Sequence, residues 1–108
     1  MRPIERRIGG CRLVLERGRT GAWTARLAGE LDRFDTGQLK SDLGSVLLSP
    51  EVSVDLDGVT FLDLAAARAL HTLLGSTDDV RVVASAATPC GRLLAWLAEH
   101  ERNGDGGP

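Results

Sequence analysis

Apolar and polar positions alternate over residues 11–16 (CRLVLE) and again over 22–28 (AWTARLA), with Gly18 and Gly21 between them. This period of two predicts a pair of strands joined as a hairpin. Gly29 to Asp32 (GELD) ends the second strand. Asp35 then opens a helix, with Gln38 three residues on as in a capping box. Leu39, Leu43, Val46 and Leu47 follow at helical spacing and form one buried stripe, and Ser49-Pro50 stops it. Residues 52–56 (VSVDL) predict a third strand inside the sheet, followed by a loop and a helix over 64–75. Residues 80–84 (VRVVA) predict the fourth strand. Thr88 caps the last helix, Pro89 takes its first position, and Cys90, Leu93, Leu94 and Leu97 form its buried stripe. The resulting order is β-β-α-β-α-β-α. It predicts a single α/β domain over 1–101, a small mixed β-sheet covered by helices, with right-handed crossovers between the later strands. Residues 102–108 (RNGDGGP) bury nothing and are expected to be a disordered tail.

The helix over 64–75 sorts its residues clearly. At about 100° per residue, Ala66, Ala67, Leu70, Leu73 and Leu74 fall within an arc of about 120°, the core side. Leu64, Arg68 and His71 fall within roughly 60° of one another on the opposite side. Leu64 is therefore expected at the surface of the first turn, with Arg68 one turn beyond. Asp63 has the side chain and position of an N-cap, and Thr60 offers a second one. Phe61 is expected as a core plug beneath the loop. Trp23 and Trp96 are expected to cover the core.

Composition narrows the function. The 108 residues suit one domain with a single core, and 43% hydrophobic with 26% charged residues is ordinary for a globular chain. The net charge of -2 argues against a protein held on nucleic acid by phosphate contacts. Arg2, Arg6, Arg7, Arg12, Arg17 and Arg19 crowd the first twenty residues and read as a solvated edge-strand face. No run approaches the 18 or so apolar residues of a membrane span, and no apolar stretch follows the charged start. A cytoplasmic location without membrane insertion is expected. Cys11 and Cys90 are expected as buried thiols, since no CxxC pair or Cys/His cluster suggests a metal. His71, His100, Asp63 and Ser85 are the conceivable catalytic parts. Without a nucleophile elbow, a phosphate loop or metal-ligand spacing, no enzyme and no cofactor are expected.

Over residues 8–100 the chain resembles a STAS domain, the fold of the bacterial anti-sigma factor antagonists. Gly29-Glu30-Leu31-Asp32 matches that family's G-E-L/I-D at the end of a strand. Val54 to Asp63 (VDLDGVTFLD) matches its strand followed by D-x-x-x-V-x-F-I/M-D. Residues 80–84, then a helix with paired leucines, match its C-terminal part. The family continues D-S-S/T-G, whereas this chain continues Asp63-Leu64-Ala65-Ala66. By that resemblance Leu64 takes the phosphoacceptor position, so there is no phosphoacceptor. Ala65 takes the next hydroxyl position and Ala66 the glycine.

The resemblance implies a protein-binding regulator whose partner is an anti-sigma factor of the serine-kinase type. Phosphorylation at the helix start, which blocks binding in that family, has no hydroxyl to act on here. Either the domain is a permanently active antagonist, or the branched Leu64 clashes and the partner differs. The expected contact surface is Asp32 and Arg33 after the second strand, Gly58, Thr60 and Asp63 in the loop, and Leu64, Ala65, Arg68 and His71 on the helix. The alternative is a STAS subunit docking on the ATPase of an ABC transporter. A homodimer is left open.

Overall fold

The computed structural model describes residues 2–75 and 80–105, and the side chains of 2–75 and 80–100. Five strands form one sheet in chain order: β1 (Ile4–Ile8), β2 (Cys11–Arg17), β3 (Trp23–Leu31), β4 (Val52–Leu62) and β5 (Val80–Val83). The β1–β2 and β2–β3 pairs are antiparallel, and the β3–β4 and β4–β5 pairs are parallel. Helix α1 (Thr36–Gly44) joins β3 to β4, α2 (Leu64–Leu74) joins β4 to β5, and α3 (Pro89–Asp105) follows β5. Each parallel crossover advances one strand in the same direction. Right-handed connections therefore put α1 and α2 on one face of the sheet. This is the expected small mixed sheet covered by helices.

Alternation sets the buried face. Cys11, Leu13 and Leu15 of β2, Ala25, Leu27 and Leu31 of β3, and Val52, Val54 and Leu56 of β4 are all buried. On the far face Arg12 and Arg26 meet solvent. Strand β1 adds one element at the N-terminus to the expected order. Its IERRI sequence alternates poorly, and only Ile8 is buried, so it reads as a charged edge instead of a strand. The arginine-rich edge is solvated as expected, and Arg12 Nη1 lies 3.4 Å from Glu5 Oε1.

Strand β4 runs eleven residues, well beyond the five expected. The segment 57–62 is strand, not loop, because two bulges carry it. Arg26 pairs with Asp55 but Ala28 with Gly58; Gly29 pairs with Val59 but Glu30 with Phe61. Each bulge adds one residue to β4 and resets its phase. Buried positions then fall three apart, at Leu56, Val59 and Leu62. Phe61 consequently faces outward, 50% exposed, and is not a core plug.

The start of α1 also differs from expectation. Asp35 makes no side-chain cap on α1. The capping box lies one turn earlier, around a 3-10 turn at Arg33–Asp35. Asp32 Oδ1 accepts from the Phe34 N–H at 2.9 Å, and Asp35 Oδ2 accepts from the Asp32 N–H at 3.0 Å. Gln38 instead donates to Asp42 Oδ2 at 2.7 Å. The stripe of Leu39, Leu43, Val46 and Leu47 is buried as expected.

At α3, Thr88 Oγ1 accepts from the Gly91 N–H at 3.0 Å, the expected cap. Cys90 and Leu97 are buried, with Leu93 and Leu94 packed beside them. Trp23 packs against the core as expected. Trp96 does not: it is 45% exposed and stacks on His100 with ring centroids 4.1 Å apart. Helix α3 continues to Asp105, four residues past the expected domain end, and residues 106–108 of the expected tail lie outside the described residues.

Both thiols are free and buried. Burial pushes both up, and Cys90, with Asp57 and Cys11 nearby, reaches about 11. At pH 8 neither is a nucleophile. A thiol reagent is expected to label no cysteine in the folded protein and both after denaturation. Because the folded thiol holds its proton more tightly than the unfolded one, its contribution to stability is complete below about pH 9 and falls as pH rises towards 11. Denaturant titrations at pH 8 and pH 10.5 check this; equal midpoints would contradict it.

Candidate functional site

The site lies where the parallel strands β3 and β4 end and their helices begin. Strand β3 stops at Leu31 and turns through Asp32 and the 3-10 turn; β4 stops at Leu62 and meets α2 at Asp63. The Asp63 N–H donates to the Leu31 carbonyl at 3.3 Å, holding the two ends together. Asp63 has the extended backbone of an N-cap, φ -82 and ψ 170. Its Oδ1 accepts from the Ala66 N–H at 2.8 Å, the expected cap. Its Oδ2 accepts from the Arg33 N–H at 2.9 Å, thirty residues away in the chain. One carboxylate therefore fastens both strand–helix corners. Asp57 makes a similar link on the other side of β4, where its Oδ1 accepts from the Ser85 N–H at 2.6 Å.

Helix α2 presents the faces that its periodicity predicts. Ala66, Ala67 and Leu70 are buried, and Leu73 and Leu74 pack against the core. Leu64 is 44% exposed, Ala65 and Arg68 are exposed, and His71 is half-buried. Asp32, Arg33, Asp63, Leu64, Ala65 and Arg68 thus gather at one corner, while His71 sits two turns down the helix. Gly58 and Thr60 belong to β4. Thr60 Oγ1 donates to the Gly29 carbonyl at 3.2 Å, so Thr60 fastens β3 and does not cap α2. At Gly58 a Cβ would stand 2.9 Å from the Ala28 Cβ, so glycine there permits close strand approach at the bulge.

Two aromatic side chains join this corner. Phe34 is 80% exposed, and the Arg33 guanidinium lies over its ring, 4.8 Å from the centroid. Phe61 stands two residues before Asp63 and is half exposed. Three large apolar side chains, Phe34, Phe61 and Leu64, are therefore exposed within two residues of Asp63 or of its hydrogen-bonded partner Arg33. Phe34 carries a sequence signal: it sits between Arg33 and Asp35, with Gly37 and Gln38 at the helical spacings where a core partner belongs. For Phe61 the outward direction depends on the bulges. Between α1 and α2 runs an open groove of about 310 Å³, whose lining includes Arg33, Lys40, Ala65, Arg68 and Ala69. Among the described residues no cluster of His, Cys, Asp or Glu is arranged to hold a metal ion, and no helix is long and apolar enough to cross a membrane.

No family model matches the sequence, and no curated protein matches it significantly. Solved structures do match the fold. An antisigma-factor antagonist STAS domain from Rhodobacter sphaeroides superposes with a TM-score of 0.59 at 17% identity, covering 82% of this chain and 95% of that one. An anti-sigma factor antagonist from Mycobacterium paratuberculosis superposes with a TM-score of 0.63 at 19% identity, covering 86% of this chain and 81% of that one. The protein has the STAS fold.

Proposed function

We propose that this protein is a non-enzymatic regulator of the anti-sigma factor antagonist type. It docks on a serine-kinase-type anti-sigma factor through the corner around Asp63. The observation that carries this reading is the set of solvent-facing Phe34, Phe61 and Leu64 on a corner fastened by one carboxylate. Aromatic side chains and arginine are enriched in protein interfaces relative to the rest of the surface. The fold shared with two anti-sigma factor antagonists supports the partner class. The neighbouring Asp32, Arg33 and Arg68 supply the polar rim that such interfaces carry.

Leu64 makes the docking permanent in this reading. It occupies the first position of α2, where the resemblance places a phosphoacceptor, and it has no hydroxyl. Binding is then governed by partner concentration and affinity, without a covalent switch.

The test is Leu64→Glu. Glutamate in the first turn suits the helix dipole, and an exposed position of this kind changes stability by about 0.5 kcal/mol at most. Capture from the source cell's lysate is expected to recover an anti-sigma factor with wild type, and with Leu64→Glu at least tenfold less. The recovered wild-type chain is expected to carry no phosphate by intact mass. Equal recovery by both proteins would remove Leu64 from the contact. Transporter ATPase subunits in place of an anti-sigma factor would reassign the function.

A further inference from the structure

A second recess lies at the other end of the parallel strands. Strand β3 starts beside it at Trp23 and reaches the Asp63 corner at Leu31, roughly 26 Å away. The recess opens between the sheet and the C-terminal end of α1, with a volume of about 330 Å³. It exists because the helix layer stops short of the start of β1: Ile8 is buried, but Ile4 is 38% exposed. Ile4 pairs with Leu15 and Arg6 with Leu13, and both leucines are buried, so Ile4 and Arg6 stand on the helix side of the sheet. Ile4, Leu15, Trp23 and Val46 give the recess an apolar lining, Arg6 one cation and Asp42 one anion. Among the described residues no ion pair joins Arg6 to Asp42. Asp42 lies in the last turn of α1, where the helix dipole already favours a positive charge, and that turn holds no basic residue. The helix wall therefore suits a cationic group and the sheet wall an anionic one, beside apolar surface.

We propose that this recess binds a free α-amino acid with an aliphatic or aromatic side chain. The ligand carboxylate pairs with the Arg6 guanidinium, its ammonium with the Asp42 carboxylate, and its side chain lies on Leu15, Trp23 and Val46. Charge selects the class. A purely anionic ligand would set its charge against Asp42, and a purely cationic one against Arg6, whereas a zwitterion pairs with both. Size selects it too. A volume of about 330 Å³ is at the small end of ligand sites, enough for one amino acid and too little for a nucleotide or a lipid chain. Trp23 is half-buried against the core and lines the recess, a rigid apolar wall of the kind that ligand sites use. The proposal does not depend on the docking reading above. With the recess and the Asp63 corner at opposite ends of β3, an amino acid and a protein partner can be bound together.

The test titrates the full chain, labelled with nitrogen-15, with leucine and phenylalanine, and with glycine, N-acetyl-leucine and leucine amide. Saturable shifts are expected with leucine or phenylalanine at the Trp23 indole N–H and at the amides of Arg6, Leu15 and Ser45. The amides of Arg33, Asp63 and Leu64 are expected to stay in place. Glycine lacks the apolar side chain, N-acetyl-leucine the ammonium and leucine amide the carboxylate, so each is expected to bind about tenfold more weakly or worse. Arg6 is exposed, and asparagine at 42 keeps an acceptor for Gln38, so Arg6→Gln and Asp42→Asn are expected to leave the fold intact. Arg6→Gln should abolish the preference for leucine over its amide, and Asp42→Asn the preference over N-acetyl-leucine. A merely structural disturbance would weaken every ligand alike. No saturable response to either amino acid up to about 20 mM would overturn the proposal. So would equal binding of leucine and its two blocked forms by the wild type, which would leave only an apolar recess. A leucine response unchanged in Arg6→Gln would also overturn it and return Arg6 to guarding the sheet edge.

Discussion

Gly29→Ala is expected to destabilise the fold by about 2–5 kcal/mol, the sum of a backbone and a packing cost. Gly29 has φ of +115, a conformation that residues with a Cβ rarely adopt. A Cβ there would also run into the Gly10 carbonyl oxygen, with the Cys11 Cα 3.2 Å away. These are backbone atoms, so no side-chain rotation relieves the collision. The β2–β3 pairing would have to open where Cys11, fully buried, enters the core. The same shift would break the hydrogen bond from the Glu30 N–H to the Gly10 carbonyl, now 3.1 Å. A domain of this size has about 5–15 kcal/mol of stability in all. Melting temperature is therefore expected to fall by at least roughly 8 °C. Gly37→Ala is the control. It lies in α1 and its Cβ would meet nothing within 4 Å, so a gain of about 0.4–1 kcal/mol is expected. A melting temperature for Gly29→Ala within a few degrees of wild type would show that the strand accommodates the methyl.

Asp63→Ala is expected to cost about 2–3 kcal/mol, from a lost N-cap and a lost charge-assisted hydrogen bond. The cap to Ala66 belongs to α2, whereas the bond to Arg33 ties α2 to the β3–α1 corner. Asparagine separates the two. It caps as well as aspartate, but it has a single side-chain acceptor, and its NH₂ would face the Arg33 N–H donor. Asp63→Asn is therefore expected to lose only the cross-link, about 1 kcal/mol. Thermal unfolding should rank wild type, Asn and Ala in descending order. Hydrogen exchange at the Arg33 amide should quicken in both variants, while exchange at Ala66 quickens in Ala alone. Equal losses in the two variants would mean that the negative charge, and not the paired geometry, does the holding. Partner binding should weaken in both, since Asp63 sets where Phe34 and Arg33 stand relative to Leu64.

Asp63 as a cap was visible because capping depends on a few adjacent residues, and the structure confirms it. Its second bond, to Arg33, was not visible, because it joins residues brought together only by the β3–β4 pairing. The same division holds along the whole molecule. Alternation in residues 11–16 and 22–28 marks β2 and β3 as strands, and the helical wheel marks the core side of α2. The outward direction of Phe61 is not legible in the sequence because two bulges change the phase of β4, and a bulge is a relation between two strands. The capping box shifted from Asp35 to Asp32 because carboxylates at both positions suited the role and the end of β3 decided between them.

Local periodicity and capping act within a turn or a strand, so residue order alone specified every element but the edge strand β1 and the second half of β4, the apolar faces of the helices, and Leu64 at the start of α2. Tertiary pairing decided what lies between elements. It turned Phe61 outward, made Asp63 a fastener of two corners, and set Arg33 and Lys40 across a groove from Arg68. Those features depend on contacts between residues about thirty apart, whose geometry follows from strand register and crossover handedness and leaves no periodic trace in the chain.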